Sequence, residues 1–293
     1  MASFAPRPFY FITTKGSTAL VEEINTAIQS INQTDPHYTM DLYTKYFVPP
    51  DNVLRLTDEE RAYIQQAGKL RVGLLLDSPP FQYRDEETGQ IRGLAVDLLQ
   101  HITNQTGLTF ELVPASTQAE LDAFIERHEV DLVAGQPYDY VTARRQQVVL
   151  TRTYVSSECI LVLNEGVEAD SLDGKRLART RTLVFDDDTD GMVLLYDTVG
   201  ECIQALLNGE ADYTYGDGYS IQYYINQPAY GKLKLMPQTG EPYRACFGVV
   251  KPSRYELISI MNKTMAGIQQ DELQSIIYQN TIYRREFLSL IHI

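Results

Sequence analysis

A chain of 293 residues is long enough for about two compact units. Its 39 Asp+Glu against 25 Lys+Arg give a net charge of −14, which repels phosphate backbones and anionic lipid and argues against nucleic-acid binding. Hydrophobic residues at 44% and charged residues at 22% exclude wholesale disorder, and no run of about 18 apolar residues is present to span a bilayer.

Met1–Phe11 lacks the continuous apolar stretch of a signal peptide. After Pro50, Thr57 with Glu60 three residues on spells a capping box, so a helix is expected there, ended by Gly68. Leu70–Leu76 reads as a buried strand stopped by Pro79 and Pro80, and Arg84–Arg92 as a polar hairpin around Gly89. Leu94–Gln105 has helical apolar spacing with Gly107 as its stop; Leu108–Val113 reads as a strand, and Ser116 as the cap of a helix reaching Arg127. Asp131–Gly135 and Glu158–Leu163 come next as strands, with a polar turn at Asn164–Gly174. The stretch Lys175–Gly240 repeats the alternation, with helices over Val199–Asn208 and Tyr219–Ile225 and a strand over Ala211–Tyr215. Strand–helix alternation implies right-handed crossovers and a mostly parallel sheet, whose ligands sit at the carboxyl ends of the strands. That places Asp77–Phe81 and Gly135–Arg145 at the expected site.

An internal repeat adds to this. Phe11, Lys15 and Ser17 recur as Phe247, Lys251 and Ser253, and Leu20, Asn25, Ile31 and Gln33 as Leu257, Asn262, Ile268 and Gln270. Both copies read as a strand followed by an amphipathic helix. One closing segment suffices for the domain that begins near Leu70, so residues 1–50 are expected to be the end of a preceding domain.

In order and spacing the chain resembles the extracytoplasmic solute-binding proteins of family 3. The residues concerned are Arg71–Gly73, Pro79–Phe81, Gly93–Asp97, Asp131–Gly135, Leu150–Tyr154, Leu172–Lys175 and Gly209–Asp212. The resemblance implies an α/β, two-lobed, periplasmic-binding-protein-like (type II) fold with a two-strand hinge. Lobe I would be 69–163 plus 244–285, lobe II 164–243, with a linker helix over 51–68 and a tail, 286–293, of non-native character. Hinge strands would be Glu158–Leu163 and Ala245–Val250, running side by side and carrying Cys159 and Cys246 as buried thiols. Cys202–Leu206, Ala211–Tyr215 and Asn262–Met265 are similar to the tandem flytrap regions of transmembrane diguanylate cyclases and histidine kinases.

In function the resemblance implies a non-catalytic domain, extracytoplasmic and membrane-anchored in the intact protein, that closes on an amino acid or similar zwitterion. A guanidinium would take the carboxylate, Arg144 or Arg145, with two solvated surface arginines as the alternative. Asp217, between Gly216 and Gly218, would take the ammonium or else cap the helix at Tyr219. Ser78 stands where relatives place a stacking ring, which Tyr138 or Tyr140 could replace; Asp77, Phe81, Gly135 and Tyr219 complete the expected set. The tyrosines between Tyr213 and Tyr230 read first as packing and second as an aromatic clamp. Phe185–Asp190 replaces the Gly-Thr helix start that binds a carboxylate in the family, so that anchor is expected to be lost, and a solvated acidic loop is favoured over a calcium site. Four scattered histidines and three scattered cysteines suggest neither a metal, a cofactor nor a catalytic pair. The rival readings are a degenerate flytrap that dimerises or docks a neighbouring domain, and a transporter-associated binding protein.

Overall fold

The computed structural model describes residues 11–34, 38, 54–85, 88–182, 191–225, 232–237 and 242–281. The chain divides into two units, Met1–Asp51 and Asn52–Ile293. In the first, helix α1 (Thr18–Thr34) forms, but the strand expected near Phe11–Lys15 does not. A strand persists only when a neighbour pairs with it, and the described residues of this unit supply none. The matching Phe247–Val250 is a strand because the second unit gives it partners.

The second unit opens with α2 (Asp58–Gln66). The Thr57 hydroxyl accepts from the Glu60 N–H at 3.3 Å, and the Glu60 carboxylate accepts from the Thr57 N–H at 2.7 Å. Glu60 is only 3% exposed and receives Lys263 Nζ at 2.8 Å, which fastens α2 to α8 (Tyr255–Ala266).

One sheet is built from β1 (Leu70–Leu75), β4 (Phe110–Ala115), β5 (Leu132–Pro137), β6 (Val148–Leu150), β7 (Val155–Ser157) and β13 (Tyr243–Val250). Its order is β4-β1-β5-β13-β6, with β7 also paired to β13; β1 runs parallel to β4 and β5, and β13 antiparallel to its neighbours. The β1 run lacks polar alternation because both faces are covered. Leu70, Val72 and Leu74 cluster with Leu94, Leu98 and Ile102 of α3 (Leu94–Thr106), while Leu75 clusters with Leu121 and Ile125 of α4 (Gln118–Glu126). Each such side chain stabilises the fold by about 1.5–3 kcal/mol. The Arg84–Arg92 excursion closes as the ribbon β2 (Tyr83–Arg84) with β3 (Ile91–Arg92).

The second sheet holds β8 (Cys159–Leu163), β9 (Leu177–Thr180), β10 (Val193–Tyr196), β11 (Tyr213–Asp217) and β12 (Lys234–Pro237), in the order β10-β9-β11-β8-β12. Cys202, Ile203 and Leu206 of α6 (Val199–Leu207) pack on Val162 and Ala178 on one face; Leu161, Leu163, Leu177 and Tyr213 fill the other. The two sheets repeat one plan, with three parallel strands placed second-first-third and then an antiparallel strand. Each also carries the same fork. Arg71 donates its backbone N–H and guanidinium to the Asp131 carboxylate at 2.8–3.2 Å, and Arg176 does the same to Asp212 at 2.7–3.1 Å.

The chain crosses between the sheets after Ser157 and again between Pro237 and Tyr243. The strands paired at this junction are Val155–Ser157 and Tyr243–Ala245, not Glu158–Leu163 and Ala245–Val250. Cys159 lies opposite Asp217 in the second sheet and Cys246 opposite Gln136 in the first, so both are buried thiols in different sheets. Other boundaries move by a residue or two. Thr117 rather than Ser116 caps α4, and two strands start two residues late because pairing with β1 and β9, rather than apolar content, fixes their ends.

Candidate functional site

Parallel strands in second-first-third order leave a crevice outside the carboxyl ends of the first and third, where the connections diverge. Here two such crevices face one another and enclose a cavity of about 80 Å³, room for several waters or a small solute. One wall follows β1 and β5. Asp77 holds a left-handed backbone (φ 61°), and the loop beyond it closes on itself: the Ser78 N–H donates to the Gln82 carbonyl at 3.0 Å and the Gln82 N–H to the Ser78 carbonyl at 3.1 Å. This turn tucks Phe81 and Gln82 inward, 4% exposed each, with the Phe81 ring centroid 6.0 Å from that of Tyr243.

Gln82 lies against Gly135, whose left-handed φ of 68° favours glycine, and a Cβ there would displace the Gln82 amide. The Gly135 N–H donates to the Tyr154 hydroxyl at 3.2 Å. Burial holds the Tyr154 phenol protonated, far above its ordinary value. Behind the wall, Gln136 donates to Gln146 at 3.0 Å, and Gln146 and Gln118 both donate to Asp122 Oδ1, at 2.7 and 2.8 Å. Gln118 and Gln136 also line the cavity, so its first wall is largely amide and apolar.

The opposite wall is made by Thr180 and Thr182 after β9, the start of α6, and the junction of β11 with α7 (Gly218–Ile225). The α6 terminus is closed by its own residues. Thr198 Oγ1 accepts from the Glu201 N–H at 3.2 Å, and Glu201 Oε2 accepts from the Asp197 and Thr198 N–H groups at 2.7 and 3.2 Å. Asp217, 5% exposed, accepts from the Ser220 N–H at 2.9 Å and so caps α7. Burial raises its carboxyl above the ordinary aspartate value, although hydrogen bonds from Ser220 and nearby backbone act the other way. The Gly218 N–H donates to Ser157 Oγ at 2.8 Å and to the Glu158 carbonyl at 2.9 Å, which ties α7 to the crossing strand.

Of the residues expected from sequence, Asp77, Ser78, Phe81, Gly135 and Asp217 line this cavity. Tyr138 does not. Its ring meets Tyr140 edge-on at 5.5 Å and lies under the Arg244 guanidinium at 5.1 Å. Arg144 and Arg145 are exposed at the end of α5 (Tyr140–Arg145), and Arg145 lines a separate groove with His128 and Lys251. The loop between β5 and that helix is short and closes with an Asp139 cap, which accepts from the Thr142 N–H at 2.6 Å. Tyr219 packs against the core of the first sheet instead of lining the cavity, and Tyr223 reaches Tyr83 at 5.8 Å between ring centroids. Phe185–Asp190 lies outside the described residues. Sequence reasoning missed Gln82, Thr180, Thr182, Asp197, Thr198, Tyr224 and Tyr243, and placed Gln136 only within the segment Gly135–Arg145. The Thr198–Glu201 capping spacing is a signal that could have found one edge; the others become neighbours only through the fold.

The model of the bacterial extracellular solute-binding proteins, family 3, matches residues 70–281. The virulence sensor protein BvgS of Bordetella pertussis is 28% identical over 228 residues, 74% of this chain but only 18% of that protein. The L-cystine-binding protein TcyA of Bacillus subtilis is 23% identical over 217 residues, 72% of this chain and 80% of that one. The crystal structure of the periplasmic VFT2 domain of Bordetella pertussis BvgS superimposes with a TM-score of 0.67 at 26% identity, covering 77% of this chain and 98% of that domain. A match across most of the chain, on a fold of two facing open sheets, means that this chain belongs to the bacterial extracellular solute-binding proteins of family 3.

Proposed function

We propose that residues 69–285 are the extracytoplasmic ligand-binding part of a membrane sensor and that they work by binding, not catalysis. Lobe I (69–163 and 244–285) and lobe II (164–243) close on a small polar solute between them, with Asp77, Ser78, Phe81, Gly135 and Asp217 among its contacts. Residues 51–68 link this unit to the remnant of a preceding domain over 1–50. The observation that carries the reading is the cavity itself, lined from both sheets at their facing crevices. The likeness to BvgS supports the sensing role and that to TcyA supports a small solute.

Closure has a mechanical outlet. Helix α7 of lobe II packs against α9 (Gln270–Thr281), the last described element of lobe I, so movement of lobe II is felt at the C-terminal end. Turning a mostly open population into a mostly closed one requires the solute to prefer the closed form by about 5.5 kcal/mol. Small-angle scattering with a panel of small polar solutes tests this. A binder should shrink the radius of gyration and raise the melting temperature together; a panel in which no solute changes either would refute the reading. One observation favours docking as a second reading: Val193 and Leu195 lie exposed on the edge strand β10.

A further inference from the structure

We infer that the solute taken by this cleft is a small amine cation that carries no carboxylate, which rests on the solute-binding reading above. An amino acid needs two complementary ends from its site, a cationic or N–H donor for the carboxylate and acceptors for the ammonium. Of the charged partners, only those for the ammonium line the cavity. Asp77, Asp197 and Asp217 line the cavity, and among the described residues no Lys, Arg or His does. The segments 86–87, 183–190, 226–231 and 238–241 contain no such residue either.

The two helix starts at the cavity also carry carboxylates already. At α6 the Glu201 carboxylate already accepts the Asp197 and Thr198 N–H groups, and at α7 the Asp217 carboxylate fills the same position. A ligand carboxylate would arrive where two side-chain carboxylates already sit. Arg181, which follows Thr180, is paired with Asp197 at 3.2 Å and thereby neutralises the one acid of the three that already has a cation. Among the described residues Asp217 has none: the groups that favour its charge are hydrogen bonds from Ser220, Tyr219 and its own backbone.

An independent observation points the same way. Gln82 lines the cavity, is 4% exposed, and its Oε1 has no hydrogen-bond partner among the described residues. A buried acceptor without a donor is unfavourable by about 1–3 kcal/mol and is met here by a ligand N–H. An ammonium offers three donors and no acceptor, which suits the unmet Gln82 Oε1 beside the cavity's carboxylates. The cavity, about 80 Å³, has room for several waters, so a small amine can enter it by displacing them.

Titration calorimetry on the whole chain decides it, with matched probes: ethanolamine against glycine, 1,4-diaminobutane against 4-aminobutyrate, and acetate alone. The expected result is that an amine binds at least tenfold tighter than its carboxylate-bearing match and that acetate does not bind. Asp217→Asn, which keeps a good helix cap, should weaken the amine roughly 10- to 100-fold, as loss of a charge-assisted bond implies. Gln82→Leu, which replaces the unmet acceptor with an apolar group and so should fold, should weaken it roughly tenfold. Tighter binding of the amino acid than of its amine overturns the inference and leaves solute binding standing. Silence from all the probes, by heat and by thermal shift, overturns the inference and counts against the solute-binding reading as well. Amine binding unchanged in both variants also overturns it.

Discussion

Asp217→Asn should make the ligand-free protein more stable while it damages recognition. The carboxylate is 5% exposed and its Oδ1 accepts from the Ser220 N–H at 2.9 Å. No cation is among the influences on its charge, and burial is the largest of them. Asparagine has the same shape and caps helices as well as aspartate, so the α7 start is kept while the desolvated charge is removed. The phenol of Tyr243, held protonated by burial and by the Asp217 charge, loses a repulsive neighbour against ionisation but keeps its packing on Phe81. Relieving a destabilised binding-site residue characteristically yields about 0.5–2 kcal/mol, or roughly 1–8 °C in melting temperature for a domain of this size.

The pH dependence separates this cause from ordinary repacking. A carboxyl whose folded value is raised contributes most to stability below its unfolded value, near 3.9, and loses that contribution as pH rises through the folded value. The advantage of the asparagine variant should therefore be largest at neutral pH and vanish toward about pH 3.5, below the unfolded value. Differential scanning calorimetry of the two proteins across that range measures it. A variant less stable than its parent at neutral pH, by an amount that does not change with acid, would refute the reasoning.

Two further substitutions probe the frame. Asp212→Asn breaks the Arg176 fork and should lower stability by about 1 kcal/mol at neutral pH in urea denaturation. The Arg176 guanidinium holds the Asp212 carboxyl below its ordinary value, so this contribution is present above the unfolded value and lost as pH falls through the folded one; the gap between parent and variant should close in acid. Lys263→Ala leaves Glu60 buried without its ammonium and should cost about 1–3 kcal/mol in the same assay. Adding Glu60→Gln to that variant should recover part of the loss; no recovery would mean that the lysine acts through packing alone.

Much of the scaffold can be read from local patterns because local physics determines it. The capping box of Thr57 and Glu60, the apolar run Leu70–Leu75 and the helical spacing of Leu94–Thr106 each depend on neighbours in sequence. Strand ends depend on partners, so Phe110–Ala115 and Tyr213–Asp217 begin later than their apolar content suggests. In the site, Asp77, Ser78, Phe81 and Gly135 are legible because they lie at or just past the carboxyl ends of recognisable strands, and Asp217 because it stands between Gly216 and Gly218 ahead of a readable helix. Arg144 and Arg145 fall outside the cavity for a physical reason. Spacing locates a residue along the chain after β5, but both arginines end the short helix Tyr140–Arg145, exposed and outside the cavity lining. Gln82 carries no sequence signal, since its burial is produced by a two-way backbone pairing with Ser78 and by the missing side chain at Gly135.

The two lobes share one strand order and one Arg–Asp fork, yet their facing ends differ in chemistry, and the position of each feature explains how both can hold. The forks tie the start of the first parallel strand to the residue before the third, at the amino ends of the strands. The cavity lies at the carboxyl ends of the same strands, the length of the sheet away. Stability and recognition therefore occupy opposite ends of each sheet, and the loops at the cavity end can change residue type without disturbing the forks. In lobe I those loops supply amides and rings, through Gln82, Gln136 and Phe81. In lobe II they supply carboxylates set on helix starts, Asp217 on α7 and Glu201 on α6, where an acid is favoured by the helix itself. Because those acids already sit at the helix starts, a ligand carboxylate arriving there would meet like charge. A single local preference, an acid at a helix start, thus bears on the fold and on the sign of the charge that the cleft admits.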